Sequence, residues 1–290
     1  MYQFTVPENK RVRVIISSDT ACEADDPFAI AHALLSPRME VKAVIAEHFA
    51  RPGSMEQSYD AACRLLSLMK AAIPLLHCQS WPKEEGEISE GAALIISEAR
   101  KNDAKPLYVL CMGAVSTVAA ALQVAPDIAE KLTIVTIGGR GYGKDDWAGR
   151  EFNWGNDHEA VNAILKTAAQ VWQVPHCAYA TMHVGLAELQ YKLARCGEVG
   201  RYLLRQMDEF NQSPRVGHIN SESWSLGDNP SVGVVLRPDC GEHHMQQAWL
   251  IDAQTAYVQP VPGRQIRVYK SVDSRYVLED LFSKLAIYFG

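Results

Sequence analysis

Four acidic side chains lie close together near the N-terminus, in the stretch SSDTACEADDPFAI that covers residues 17–30. They are Asp19, Glu23, Asp25 and Asp26, and they follow the apolar run RVRVIIS. Carboxylates that repel one another at the end of a strand are well neutralised by a hard cation with oxygen ligands, such as Ca²⁺ or Mg²⁺. Helix capping is the alternative, because Asp26 followed by Pro27 fits the first positions of a helix. Capping accounts for Asp26 and for Asp25, but not for Asp19 or Glu23.

A second group of polar residues occurs in GREFNWGNDHE, where Glu151 and Asn153 are two residues apart in a Gly-flanked loop. If this loop is extended, both side chains point to the same side. A carboxylate and an amide in that arrangement can hold the two hydroxyls of a vicinal diol. A turn stabilised by side-chain to backbone hydrogen bonds explains the same residues. Both interpretations remain open at this point.

Two further residues extend these groups. Asp228 precedes Asn229-Pro230 in SWSLGDNPSVGVVL, so it is either a helix cap or one more acid that reaches the same cation. His48 follows an apolar run and is placed at the rim of the predicted site. The seven cysteines are scattered and form no C-x-x-C pair, which argues against a disulfide framework and a zinc site.

Short apolar runs alternate with segments of helical periodicity along the chain. This pattern predicts an α/β fold with a mostly parallel open sheet and helices on both faces, in a single domain over residues 1–290. The predicted strands cover residues 11–17, 41–49, 73–78, 106–112, 132–139 and 170–175. The predicted helices cover residues 27–36, 54–69, 89–102, 116–126 and 157–168, and residues 184–225 are predicted to be a helical lid or flank. Ligands bind such folds beyond the carboxyl ends of the strands, where the polar groups above fall.

Composition narrows the classes of partner. The net charge is −6 and basic residues form no stripe, so a nucleic-acid partner is not expected. The N-terminus lacks the apolar region of a signal peptide, and the longest uncharged stretch is interrupted by Gly, Ser and Thr. We therefore expect a cytoplasmic protein that binds a small molecule and no membrane. A dehydrogenase is disfavoured, because no G-x-G-x-x-G follows the first strand.

Taken in order, these motifs resemble the inosine-uridine-preferring nucleoside hydrolase family. DTACEADD resembles its D-T-D-P-G-x-D-D, MGAVST its G-P-L-T-N-like turn, and VTIGG its I-x-M-G-G. REFNWGNDHEAV resembles A-E-F-N-x-x-x-D-P-E-A-A, and GDNPS resembles the segment that contains H-D-P. The similarity runs from about Arg11 to Leu236. It implies a hydrolase in which Ca²⁺ at the pocket floor orients the water that attacks the anomeric carbon of a ribonucleoside. It also implies a homo-oligomer, either a dimer or a tetramer.

The resemblance also implies roles for single residues. Asp26, Asp228 and the backbone carbonyl of Met112 correspond to metal ligands. The residues that contact the sugar in the family correspond to four residues of this chain: Asp25, Glu151, Asn153 and His48.

Four residues, at three places in the motifs, depart from the family pattern. Ala21 replaces the third Asp of D-T-D, which in the family is a metal ligand and the base for water. Cys22-Glu23 replaces Pro-Gly, and Gly227 replaces the His before the late Asp. We expect Glu23 to take over part of the missing carboxylate's role, with Asp25 and Asp19 as the next candidates for the base. The alternative is a sugar-binding protein on the same scaffold that does not catalyse this reaction.

Overall fold

Eight strands form one twisted sheet in the computed structural model, which describes residues 2–81, 86, 88–144, 146–216 and 222–290. Together with a separate pair, the described residues form ten strands: β1 (Val12–Ser18), β2 (Met39–Ala46), β3 (Leu75–His77), β4 (Leu107–Cys111), β5 (Leu132–Ile137), β6 (Gln170–Val174), β7 (His183–Gly185), β8 (Ser223–Ser225), β9 (His243–Ile251) and β10 (Tyr257–Tyr269). Their order in the large sheet is β3-β2-β1-β4-β5-β6-β10-β9, and β7 pairs with β8 separately. In the large sheet, β9 runs antiparallel to β10, and the other pairings are parallel.

Helices cover both faces of this sheet. They are α1 (Asp26–Leu34), α2 (Ser54–Met69), α3 (Glu90–Ala99), α4 (Ser116–Val124), α5 (Phe152–Asn156), α6 (His158–Leu165), α7 (His176–Tyr179), α8 (Leu186–Leu193), α9 (Gly197–Asn211), α10 (Asn229–Leu236) and α11 (Ser274–Phe289). One core layer contains residues of α1, α2 and α8–α11, and the other contains residues of α3, α4 and α6. The predicted fold class is therefore confirmed.

The central strand β1 shows why the sheet is buried on both sides. Successive side chains of a strand point to opposite faces. Accordingly, Val14 and Ile16 pack in one core layer while Ile15 packs in the other, and all three are fully buried. A strand covered on both faces needs a continuous apolar run, which RVRVIIS supplies.

The strand order places a crevice beside β1. The chain winds outward from β1 through β2 to β3, and then returns to pair β4 on the other side of β1. The loops that follow β1 and β4 therefore diverge, and this is where parallel sheets bind ligands. The loop after β1 contains the acidic cluster, and the loop after β4 begins at Met112.

The C-terminal part of the sheet was not predicted. Strands β9 and β10 and helix α11 complete the fold, and β10 joins the sheet next to β6. The predicted helical region 184–225 contains α8 and α9, but it also contains β8 and the last two residues of β7, and residues 217–221 lie outside the described residues. Across the described part of the chain, no helix has the length and apolarity needed to cross a membrane.

Candidate active site

A cavity of about 80 Å³ opens at the carboxyl edge of the sheet, at the crevice beside β1. That volume admits roughly five to eight water-sized groups. Its walls come from six separate parts of the chain: the loop after β1, the turn after β4, the end of β5, the start of α5, the end of α7 and the start of α10. The sequence-predicted residues that line it are Asp19, Glu23, Asp25, Asp26, Met112, Glu151, Asn153 and Asp228.

Three aspartates converge at one point of this cavity. Asp25, Asp26 and Asp228 are buried, and each offers a carboxylate oxygen within 4.8 Å of the others. Asp25 precedes α1 and Asp228 precedes α10, yet neither side chain forms a capping hydrogen bond. Asp26 is the first residue of α1, and it accepts a hydrogen bond from the Ser18 hydroxyl. Capping therefore does not explain why these acids stand at the two helix starts.

Burial and mutual repulsion raise the pKa values of the acids in this cluster. Burial is the larger cause for Asp19, Asp25 and Asp228, and neighbouring carboxylates add to it, so each pKa lies well above its usual value. Burial raises the pKa of Asp26 to about 7, against hydrogen bonds that lower it. In the described part of the chain, no Lys or Arg forms a salt bridge with these four acids. When these acids lose their protons, no Lys or Arg salt bridge within the described residues balances their negative charge.

Asp19 supplies an independent sign of a missing partner. Its Oδ2 atom is buried and has no hydrogen-bond partner, and such atoms are rare in folded proteins. The carboxylate lies directly against the backbone of Gly113, where a Cβ atom would come within 2.7 Å of the Asp19 Cγ. A donor set made only of oxygens, with one oxygen unpaired, fits a hard divalent cation such as Ca²⁺.

The loop from Ala21 to Glu23 forms the outer wall beside the aspartates. Ala21 is half-buried and its methyl group offers no ligand atom. Cys22 and Glu23 line the cavity, and the backbone of Cys22 donates to the Asp19 carbonyl. Glu23 is exposed, and its negative charge raises the pKa values of Asp19, Asp25 and Asp26. Its carboxylate is therefore near the cluster and also reachable from solvent.

Glu151 and Asn153 both line the cavity, but not in the extended conformation that was expected. Glu151 is the N-cap of α5, and its carboxylate accepts from the backbone nitrogens of Asn153 and Trp154. Asn153 lies in the first turn of this helix. Its side-chain nitrogen donates to the Ile137 carbonyl at 3.0 Å, so the amide oxygen is the atom it can offer to a ligand. The turn interpretation and the ligand interpretation are thus compatible.

The structure does not bring His48 into this group. His48 is buried outside the cavity lining, and its ring stacks on Trp81 at 4.8 Å. Its Nε2 lies 2.8 Å from the Ser116 hydroxyl, and its Nδ1 accepts from the backbone of Ala50. Ser116 in turn donates to Asp157, which caps α6. His48 therefore lies in a polar chain behind the site.

Tyr179 is a cavity residue that the sequence analysis missed. It ends α7, the short helix after β6, and its hydroxyl donates to Glu151 at 3.0 Å. The signal was available, because the segment PHCAYAT also follows a parallel strand and meets the same edge of the sheet. Trp154 and Trp224, by contrast, are buried in the core and do not reach the cavity.

A known protein family matches most of the chain. Residues 14–277 match the family model described as inosine-uridine preferring nucleoside hydrolase. The chain belongs to this family. The resemblance inferred from the motifs is thereby confirmed, as is the expectation of a nucleoside hydrolase-like enzyme. No curated protein matches the sequence significantly.

Several solved structures share the fold. One described as an inosine-guanosine nucleoside hydrolase has a TM-score of 0.74 at 19% identity, with 97% of this chain and 100% of that chain covered. A plant nucleoside hydrolase, PpNRh1, gives 0.75 at 17% identity, with 95% and 99% covered. A purine-preferring ribonucleoside hydrolase from Gardnerella vaginalis gives 0.74 at 20% identity, with 95% and 98% covered. At these identities the likeness concerns the fold alone.

Proposed function

We propose that this protein is a divalent-cation-dependent hydrolase that cleaves the N-glycosidic bond of a ribonucleoside or a related ribosyl compound. The observation that supports this most is the convergence of Asp25, Asp26 and Asp228, buried and with oxygens within 4.8 Å of one another. Acids drawn from opposite ends of the chain into one cavity suit chemistry with a cationic transition state. We also propose that the protein is a cytoplasmic homo-oligomer, a dimer or a tetramer.

The cation in this proposal is Ca²⁺. Asp26 and Asp228 would hold it through their carboxylates, together with the backbone carbonyl of Met112, and the unpaired oxygen of Asp19 would add a further donor. When bound, the cation supplies a lowered pKa for water and a charge that attracts sugar hydroxyls. Oxygen donors favour Ca²⁺ over zinc or copper.

The sugar in this proposal is held next to the cation. Asp25 and the amide oxygen of Asn153 face the cavity and contact the ribose hydroxyls, with Glu151 beside them. His48 contributes to this side only through Ser116, at the start of α4. The buried carboxylates also stabilise positive charge on the ring as the bond to the leaving group lengthens.

Glu23 is the proposed general base. A water molecule adds to the anomeric carbon, and the C–N bond breaks with its electron pair going to the nitrogen of the leaving group. The proton lost by the water goes to Glu23. Glu23 lines the cavity and is exposed, so it exchanges protons with solvent. Asp25 and Asp19 are the next candidates, although burial keeps their pKa values high.

A sugar-binding protein without hydrolytic activity is the second candidate. It is favoured by one observation, the methyl group of Ala21 at the position where the family has its base. This candidate keeps the cation and the sugar contacts but forms no product.

Calorimetry and a hydrolysis assay separate these candidates. Metal-stripped protein titrated with Ca²⁺ is expected to show one site per chain, and Asp26→Asn is expected to weaken binding at least about tenfold, because a carboxylate ligand is lost. Asp60→Asn, on the exposed face of α2, is the matched control. With Ca²⁺, the wild type is expected to release nitrophenol from a nitrophenyl riboside. Ca²⁺ binding without hydrolysis of any riboside favours the sugar-binding protein, and absence of Ca²⁺ binding refutes the metal site.

A further inference from the structure

The Glu151 carboxylate is fully engaged within the protein. A carboxylate offers about four lone-pair sites for hydrogen bonds. Its Oε2 accepts from the backbone nitrogens of Gly139 and Trp154, at 2.8 and 2.9 Å. Its Oε1 accepts from the backbone of Asn153 at 3.1 Å and from the Tyr179 hydroxyl at 3.0 Å. Four donors thus occupy four sites, and the side chain is entirely buried.

Tyr179 is the only side chain among these four donors. The other three are backbone groups fixed by the start of α5 and by the end of β5. A ligand hydroxyl can therefore reach the Glu151 carboxylate only by displacing the Tyr179 phenol. Tyr179 itself lines the cavity, so its phenol is within reach of a ligand at this wall.

The neighbours of Tyr179 hold its ring in this position. His176, one helical turn earlier in α7, packs edge-on against the ring with centroids 5.3 Å apart. Trp147 stacks on the other side of His176 at 4.1 Å. The Tyr179 carbonyl accepts from the Ser225 hydroxyl, which ties α7 to β8. The phenol is consequently a built part of the wall.

Gly227 provides the space for this ring. A Cβ atom at position 227 would lie 3.1 Å from the Tyr179 Cδ2, closer than side chains normally approach. It would also lie 3.4 Å from the Asp25 Oδ2, at ordinary contact distance. The missing side chain at Gly227 and the position of the Tyr179 ring are therefore linked.

We propose that Tyr179 is a specificity-determining residue. Its phenol covers the Glu151 carboxylate, so the wall that faces the sugar presents a phenol in place of a carboxylate. The site therefore accepts a pentose that lacks one hydroxyl. A phenol oxygen accepts a hydrogen bond more weakly than a carboxylate does, and it leaves no unpaired charge when the sugar has no hydroxyl there. The substrate class is thus a deoxypentosyl compound as well as a ribosyl compound. This inference rests on the proposed function, because it assigns a sugar to the same cavity.

The test measures binding of a sugar that cannot be hydrolysed. The probes are 1,4-anhydro-D-ribitol, a ribose ring without a leaving group, and its 2-, 3- and 5-deoxy derivatives, titrated calorimetrically in the presence of Ca²⁺. Wild type is expected to bind at least one deoxy derivative within about twofold of the parent. In Tyr179→Phe, the same derivative is expected to bind about tenfold more weakly than the parent, because the freed carboxylate now holds the hydroxyl.

Two further variants make the result decisive. Tyr257→Phe removes a buried phenol that contacts Gln173 and the Arg140 carbonyl outside the cavity, and it is expected to keep the wild-type ranking. Gly227→Ala crowds the Tyr179 ring and is expected to shift the ranking in the same direction as Tyr179→Phe. If Tyr179→Phe fails to fold, Gly227→Ala alone tests whether the position of the Tyr179 ring sets the ranking of the probes.

The outcomes that overturn the inference are distinct from failure of the proposed function. The inference is overturned if the ranking of probe affinities is unchanged in both Tyr179→Phe and Gly227→Ala. It is also overturned if all four probes are weakened equally, or if no probe binds to wild type or variant. A changed ranking in a protein that hydrolyses no riboside supports the role of Tyr179 and contradicts hydrolysis.

Discussion

At the scale of single residues, the feature that most affects the proposed hydrolysis is Ala21, which stands where the family motif has an aspartate. The remaining acids keep their places around the cavity, but most are buried and retain protons more strongly than usual. Glu23 differs from them because it lines the cavity and is exposed. A base must give up its proton to solvent between turnovers, which an exposed carboxylate does readily.

Replacing Glu23 by Gln is therefore expected to lower the hydrolysis rate of an activated riboside by roughly 100-fold, the usual contribution of a general base. The Ca²⁺ affinity should stay within about twofold, because Asp25, Asp26 and Asp228 are retained. The measurement is kcat for nitrophenol release, paired with calorimetry. Glu130→Gln, an exposed acid remote from the cavity, is the control.

The reciprocal variant, Ala21→Asp, distinguishes the alternatives. If Glu23 is the base, adding the second carboxylate raises an existing rate. If wild type is inactive and Ala21→Asp alone gains activity, Glu23 is not the base, and the natural protein is a binder. A wild-type rate that Glu23→Gln leaves unchanged moves the search to Asp25 and Asp19.

At the scale of elements, two helix starts and one helix contact organise the site. α1 and α10 both begin beside the cavity, and their N-terminal ends carry partial positive charge that stabilises the aspartates there. Behind the site, His32 of α1 lies between α10 and α11. Its Nε2 is 2.8 Å from an Asp280 oxygen and its Nδ1 is 3.3 Å from the Asn229 amide nitrogen. A neutral ring suits both partners, because Nε2 donates to the Asp280 carboxylate and Nδ1 accepts from the Asn229 amide.

Burial lowers the pKa of His32 to about 4, more than the hydrogen bond to Asp280 raises it. The unfolded state therefore binds a proton at a higher pH than the folded state does. Stability is present above a pH of about 6.5 and is lost as the pH falls toward 4. Because of His32, we expect the free energy of unfolding to fall by about 1–2 kcal/mol as the pH is lowered from 6.5 to 5.

The variant His32→Gln, which keeps one donor and one acceptor, should remove that part of the acid destabilisation. Urea unfolding at pH 7 and pH 5 in saturating Ca²⁺ measures it, since the cation keeps the acid cluster in one state. His183→Gln, on exposed β7, is expected to behave as wild type does. An equal pH dependence in His32→Gln and wild type would contradict the assignment.

At the scale of the whole molecule, cation binding and folding are coupled. Raised pKa values of the buried aspartates mean that the folded, metal-free protein holds protons that the unfolded chain has released. For such groups, stability is present at low pH and is lost as the pH rises from about 4 through the folded pKa, which is about 7 for Asp26. A divalent cation bound by these carboxylates would compete with those protons.

The increase in urea midpoint caused by Ca²⁺ should therefore be larger at pH 7.5 than at pH 5.5. At a free concentration a hundred times the dissociation constant, binding adds about 2.7 kcal/mol to the unfolding free energy. Chelation should reverse the effect at pH 7.5, and Asp26→Asn should reduce it by about half or more. A midpoint shift that does not depend on pH would argue against these carboxylates as the ligands.

The sequence predicted the parts of this molecule that depend on local patterns. The apolar run before Asp19 identified β1, and the rule for parallel sheets located the acids at its carboxyl end. Asp228 has a weak local signal, and its convergence with Asp26 depends on pairings between distant strands. Tyr179 was missed because the loop after β6 carries no charged motif.

The C-terminal strands were missed for a different physical reason. β9 reads HHMQQAWLI, in which polar and apolar residues do not alternate with period two. β10 contains two prolines and a glycine in the segment VQPVPGR, and its pairing with β9 changes register there. Proline lacks the backbone donor of a central strand, so this pattern disfavours a strand. β9 is the edge strand, and the prolines of β10 lie outside its short pairing with β6, so the sheet tolerates both features.

The convergence of Asp25 and Asp26 with Asp228 also has a consequence for protein synthesis. The ribosome makes the first two aspartates early, with β1 and α1, and makes Asp228 only after most of the chain has emerged. Until α10 packs against α1, the early carboxylates have no third partner, and the nascent chain offers no complete pocket for a cation. A chain that stops before α10 thus lacks one of the three converging aspartates, so tight retention of a cation by this cluster would report that synthesis has passed α10 and that α10 has packed against α1.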